Sequence, residues 1–338
     1  MKFGIFDHLD DSGLPQAQHY GNRLRLVEAL DRLNFYSYHV AEHHGTPLGL
    51  APSPNVYLSA VAQRTRRLRF GPMVYVAALY HPLRLAEEVC MLDQMSEGRL
   101  QVGLGRGAVW LEQQMYGIDR AEIPARYDEA RDALLEALRS ERFNFSGKHF
   151  NFRDVPMVLR PWQKPHPPLW YGIANPESTV WAAANESNIV SLLSNAIAAS
   201  CITRYREEWA ALGKAESALP FLGLMRQIVV GETDAEAQRI ARAAFTKWRT
   251  SFTQLWEERG VPFPLEGMFA RDWDGFVKDG RAMAGSARTV REFLASQIKE
   301  TGANFILGQM VFGTMAYEEA LHSLELFSRD VIPALAGA

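Results

Sequence analysis

The stretch "RLQVGLGRGAVWLEQQ", residues 99–114, decides the fold. An apolar run (Leu100, Val102, Leu104) leads into Gly103, Gly105 and Ala108, spaced G-x-G-x-x-A, the alanine-ended form of the dinucleotide-binding fingerprint. In a Rossmann domain those glycines follow the first strand, and an acidic residue for the ribose stands about 20 residues on, at the end of the next strand. Here three strand-like runs come first, and the acids that follow belong to "EIPARYDEA", a Pro-started helix with no strand before it. The fingerprint fails its context, and an NAD-linked dehydrogenase fails with it.

Outward from this point, short apolar runs alternate with helical stretches nearly from end to end. Strands are expected at 3–6, 36–41, 68–77, 100–104, 169–173, 189–193, 221–230 and 304–309. Helices are expected at 21–33, 55–65, 82–95, 124–139, 176–185, 196–212, 235–254, 287–301 and from 316 towards 333. Strands too apolar to have a wet face belong in a parallel sheet covered by helices. Eight such units in one chain predict a single α/β domain over 1–338, a (β/α)8 TIM barrel, with the doubly wound folds as the competitor. Two segments exceed the repeat. "FNFSGKHFNF" places a hairpin insertion within 141–167, after the fourth strand, and the Pro-rich run 161–168 leads extended into the next one. The aromatic, loop-like stretch 255–285, between the seventh and eighth strands, is expected to be a lid.

A chain of 338 residues, 47% of them hydrophobic, can bury a large core. A net charge of −3 leaves no electrostatic footprint for nucleic acid, and the run Arg64, Arg66, Arg67, Arg69 is short enough to be a solvated helix end. Cys90 and Cys201 match no metal spacing and imply a reduced compartment and thiol-independent chemistry. "MKFGIFDHLDD" has no leader character and starts as a strand, and no apolar run approaches a membrane span, so a soluble cytoplasmic protein is expected.

Barrel chemistry sits at the C-terminal ends of the strands. The glycine-rich end of the fourth strand carries Arg106, suited to a bidentate phosphate contact or to a solvated place beside a tight turn. "YSYHVAEHHG", 36–45, contains His39, Glu42 and His43 in the order H-x-x-E-H, an inverted zincin motif. That motif needs a helix, whereas these neighbours read as a strand, in which the two histidines stand roughly 13 Å apart and share no metal. What is left is Glu42-His43-His44 at the end of the second strand, a candidate acid/base trio, with one histidine free to be a core hydrogen bonder.

Five stretches together carry a resemblance: "VAEHHG" (40–45), "LRFGPMVYVAALYHPLRLAEE" (68–88), "LDQMSEGRLQVGLGRG" (92–107), "RPWQKPHPPLWYG" (160–172) and "ALHSLELFSRDVIPAL" (320–335). The chain resembles the bacterial luciferase-like flavin-dependent monooxygenases over essentially its whole length. The resemblance implies a barrel that binds FMN as a reduced co-substrate, supplied by an NAD(P)H:flavin reductase or reduced in place. With O2 it would oxygenate a small, apolar organic substrate. It implies that Arg106 holds the flavin phosphate, and that Ala174, Asn175 and Ser178 form the other phosphate clamp, in a turn less rich in hydroxyls than the family's. Pro176 would open the helix there. Met73-Val74 matches a cis peptide under the flavin ring, and His43 matches the histidine that handles the proton, with Glu42 or His44 as its orienter. Helix 82–95 matches a dimer-forming region, which implies a homodimer. Trp256, Phe263, Phe269 and Trp273 are available to line the substrate pocket. The alternatives are a hydride transferase using the deazaflavin F420 on the same barrel, and a non-catalytic flavin-binding relative.

Overall fold

The strands comprise the eight expected apolar runs, one of them in two pieces, together with a hairpin and one further short strand. In chain order these are β1 (Lys2–Asp7), β2 (Ser37–Val40), β3 (Arg69–Pro72), β4 (Tyr75–Val76), β5 (Val102–Gly105), β6 (Arg142–Ser146), β7 (Asn151–Pro156), β8 (Leu169–Gly172), β9 (Asn188–Ser191), β10 (Leu222–Val230), β11 (Ala282–Gly285) and β12 (Phe305–Gln309). The computed structural model describes residues 1–264, 266 and 269–336.

The sheet is parallel throughout and runs β3-β2-β1-β12-β10-β9-β8-β5-β4. Its two ends meet, because β3 and β4 are halves of one barrel strand interrupted at a cis Met73-Val74 peptide. Below the break Phe70 bridges to Leu100, and above it Tyr75 pairs with Leu104, so the ring closes. The strand expected at 68–77 is therefore two pieces.

The glycines of the opening stretch make this closure possible. A Cβ on Gly103 would run into the Pro72 carbonyl, and one on Gly105 into the Val74 side chain. Their lack of a side chain serves contact between strands, the close approach that glycine alone permits.

The barrel interior is filled by Phe6, Ala41, Trp170, Val190, Phe305 and Leu307, with Met73 and Met225 packed against them. His39 lies among these residues, fully buried, its Nε2 3.1 Å from Ser37 Oγ and its ring edge-on to Trp170. Helices cover the outside through apolar faces at helical spacing. Helix Pro82–Met95, for example, buries Leu85, Ala86, Val89, Cys90 and Leu92. Cys90 and Cys201 are free and buried. No described helix is long and apolar enough to cross a membrane.

The hairpin forms where expected, β6 antiparallel to β7. The expected lid, 255–285, of which 265, 267 and 268 lie outside the described residues, contains regular elements that its sequence does not suggest. Helix Asp234–Glu258 runs past the expected end at 254, a short helix spans Trp273–Lys278, and β11 pairs with Gln227–Val230. The sequence of β11, "AMAG", carries no β-branched signal. Its pairing comes from β10, which runs on beyond the three residues matched to β9 and leaves an edge to be covered.

Helix Asp234–Glu258 crosses the C-terminal face of the barrel as a roof. Ala244 presses its backbone against Gly313, where no Cβ would fit, in the loop after β12. Lys247 pairs with Asp11 at 3.6 Å in the loop after β1. The Ser251 carbonyl accepts from Thr46 Oγ1 at 3.4 Å in the loop after β2, and Trp256 meets Trp110, beyond β5, edge-on at 5.8 Å.

Candidate active site

Under the roof, the ends of β1, β2, β4, β5 and β8 lie side by side, because β1 pairs with β2, β4 with β5 and β5 with β8. Glu42, His43 and His44 follow β2, Met73 and Val74 join β3 to β4, Arg106 follows β5, and Ala174, Asn175 and Ser178 follow β8.

His43 follows β2 and is the more accessible histidine of the trio, its side chain 13% exposed. Its Nδ1 lies 2.8 Å from Glu112 Oε1, in a side chain only 4% exposed. The expected orienters do something else. Glu42 and His44 bond each other at 2.9 Å, and His44 Nδ1 meets the Tyr116 hydroxyl at 2.8 Å. The second oxygen of Glu42 accepts from the Val76 amide at 3.0 Å and the Tyr80 hydroxyl at 2.9 Å. Glu42 thus fastens the end of β2 to β4, just beyond the cis peptide. The orienting role passes to Glu112, on helix Trp110–Met115.

His8, at the end of β1, stacks on His43 with ring centroids 5.6 Å apart. It receives hydrogen bonds from Gln309 Nε2 at 3.0 Å and Trp248 Nε1 at 3.3 Å. Burial, helped by the charge of His43, holds its pKa well below the ordinary imidazole value. Burial also opposes charge on His43, but attraction to Glu112, with a smaller contribution from Glu42, outweighs it and raises the pKa. Two stacked imidazoles are thereby pushed apart, one kept neutral and one ready to take a proton. The Nδ1 of His43 is committed to Glu112, so Nε2 is the nitrogen available for chemistry.

His39 and His43 do not converge. Burial, only partly offset by hydrogen bonding to Pro72 and Gln101, pushes His39 down to about 3, so it is a neutral core residue. Among the described residues no group of three or more His, Cys, Asp and Glu side chains could hold a metal ion.

Arg106 is exposed just beyond β5, its carbonyl accepting from Gln113 Nε2 at 2.9 Å. Leu104 pairs with Tyr171, so two residues on, Arg106 stands level with the turn that follows β8. In that turn Ala174 and Asn175 are exposed and Ser178 is half-buried. Asn175 Oδ1 accepts from the Ser178 amide at 3.0 Å, and the Ser178 hydroxyl donates to the Asn175 carbonyl at 2.6 Å. The regular helix begins at Ser178, after Glu177, and Asn175 and Pro176 belong to the hydrogen-bonded turn that leads into it. An exposed guanidinium beside exposed amide and hydroxyl dipoles fits a phosphate monoester.

Of the aromatic residues expected around the substrate, Trp256 packs on Trp110, Phe263 and Phe269 pack on Phe252, and Trp273 donates its Nε1 to Gln238 at 2.8 Å. Sequence reasoning missed His8 and Glu112. His8 had a signal, since it directly ends the first barrel strand. Glu112 had none, being 69 residues from the histidine it holds.

A family model described as luciferase-like monooxygenase matches residues 1–304. A protein of Sinorhizobium fredii (strain NBRC 101917 / NGR234), named uncharacterized protein y4wF, is 42% identical over 323 residues, 96% of this chain and 94% of its own. Among solved structures, the monooxygenase RslO1 of Streptomyces bottropensis superposes with a TM-score of 0.88 at 27% identity, over 98% of this chain and 99% of that one. The oxygenating constituent of 3,6-diketocamphane monooxygenase from Pseudomonas putida, a type II Baeyer-Villiger enzyme solved with FMN, superposes at 0.83 and 21% identity, over 98% of both chains.

Proposed function

From the premise that this chain belongs to the luciferase-like monooxygenase family, we propose that it is the oxygenating component of a flavin-dependent monooxygenase. It takes reduced FMN, made by a separate NAD(P)H:flavin reductase, and oxygenates a small, largely apolar organic molecule in the cytoplasm. The observation that carries this reading is the His43–Glu112 pair, 2.8 Å apart, on the rim that also holds the cis Met73-Val74 peptide and Arg106.

When bound, the reduced flavin supplies the electrons that activate O2. The protein's own residues do the rest. Arg106, with Ala174, Asn175 and Ser178, holds the phosphate, and Met73 and Val74 support the ring. His43 Nε2 holds and releases the proton, while Glu112 fixes the ring through Nδ1. Glu42 and His44 keep the β2–β4 edge in place. The roof helix keeps water out. The exposed Met91 and Met95 of helix Pro82–Met95 lie on the face through which two copies pair.

Anaerobic titration with reduced FMN tests the assignment. Arg106→Ala weakens binding by roughly 10- to 150-fold, the worth of one charged hydrogen bond. Unchanged affinity removes Arg106 from the site. Preference for F420 over FMN in the same titration overturns the cofactor reading.

A further inference from the structure

Two arginines, one on the roof helix and one beside it, have buried donors with no hydrogen-bond partner among the described residues. Arg249 stands on the roof helix, one residue after the Trp248 that touches His8, and its Nη1 is buried without a hydrogen-bond partner. Arg281, directly before β11, is 6% exposed, and its Nε and Nη1 are in the same condition. A buried cation with unmet donors is unfavourable unless something anionic arrives.

Both guanidiniums lie on one cluster of rings. Arg249 is 4.9 Å from the Phe263 centroid and 5.8 Å from Phe252, and Arg281 is 4.4 Å from Phe269 and 5.9 Å from Phe276. The rings touch in series: Phe263 to Phe252 at 5.2 Å, Phe252 to Phe269 at 5.6 Å, Phe269 to Phe276 at 5.9 Å. The cluster joins the rim on two sides. Phe252 stacks on Trp248 at 5.1 Å. The Arg281 carbonyl accepts from the Gln227 amide at 3.0 Å, Gln227 donates to Gln309 at 3.3 Å, and Gln309 reaches His8.

Of the neighbouring charges, Glu257 attracts Arg249 and Asp279 attracts Arg281, neither through a hydrogen bond among the described residues. Arg271 is paired with Glu266. Arg226, cross-strand from Arg281 by the register Gln227↔Ala282, is fully buried and bonds to neutral acceptors, Gln297 at 2.6 Å, Asn195 at 2.9 Å and the Met225 carbonyl at 2.7 Å. Its charge adds to that of Arg281.

We propose that Arg249 and Arg281, with Phe252, Phe263, Phe269 and Phe276, form a substrate subsite for an aromatic anion, a carboxylate carried on or next to an aromatic ring. The ring packs against the phenylalanines, and the carboxylate takes the unbonded Nε and Nη1 of Arg281, with the Arg249 guanidinium adding positive charge along the same cluster. This rests on the reading of the rim as the active site and narrows its substrate class.

Benzoate and benzamide have nearly the same shape and differ in charge, so calorimetric titration of the full chain with each, with and without FMN, tests the subsite. Benzoate binds at least about tenfold more tightly than benzamide, as one charged hydrogen bond requires. Arg281→Gln brings the two within about twofold, and Arg281→Lys keeps part of the preference. Circular dichroism confirms that each variant is folded. Equal binding of the two probes, a preference that survives both Arg281→Gln and Arg249→Gln, or no binding of benzoate at any soluble concentration overturns the proposal. Flavin affinity of the wild-type chain, measured alongside, separates the two readings: a wild type that fails to bind FMN sinks the flavin assignment, whereas a wild type that binds FMN but does not distinguish benzoate from benzamide sinks only the subsite.

Discussion

At the residue scale, the site turns on which carboxylate serves which imidazole. Glu42 was legible as a functional candidate from its place beside two histidines, but both of its oxygens are engaged by His44, Val76 and Tyr80. Glu112 has no local signature and acquires its role only when the barrel closes. A pH experiment distinguishes them. The folded state raises the pKa of His43, so the pair stabilises the fold fully below the ordinary imidazole range and less as pH rises through the raised value. A base must be unprotonated, so turnover falls as pH drops through that same value. Glu112→Gln moves this acid limb to lower pH, Glu112→Asp moves it less, and His43→Ala abolishes it, all read from the pH profile of substrate-dependent oxygen uptake. An acid limb that stays put in Glu112→Gln gives the titration to another group.

At the element scale, periodicity found every barrel strand, because a strand buried on both faces is an apolar run whatever its neighbours. It also found the hairpin, from Gly147 between aromatic strands. Elements set by other elements were hidden. The break between β3 and β4 was marked only by the resemblance at Met73-Val74, not by periodicity, and β11 exists because β10 outruns β9. The glycines of β5 were visible as a pattern, but their reason lies on the neighbouring strand. Gly103→Ala therefore destabilises the chain by about 1–3 kcal/mol, the usual cost of overpacking. The midpoint of urea unfolding reads this directly. A midpoint equal to wild type would show that β5 can back away from Pro72 freely.

At the scale of the whole molecule, the ring is uneven. The rim from β1 to β8 carries the candidate chemistry, while the side with β10 and β11 carries the roof and the arginine cluster. On the outside, Val56, Met91, Met95 and Trp162 are exposed, between 48% and 74% of each residue. Sedimentation at micromolar concentration is expected to give a dimer, and Met91→Glu combined with Met95→Glu to give a monomer. A wild-type monomer would leave this face without the assigned partner.

The roof helix has two kinds of attachment. Near its start it meets the barrel backbone to backbone, at Ala244 and Gly313. Near its end it is held by a small apolar cluster of its own, in which Leu255 and Trp256 pack on Val109 and Leu111. Leu111 is the residue before Glu112, so the free end of the roof rests on the short helix that aims His43. The latch of the door and the hand on the proton are the same piece: the contacts that hold the end of the roof also hold the helix from which Glu112 reaches His43.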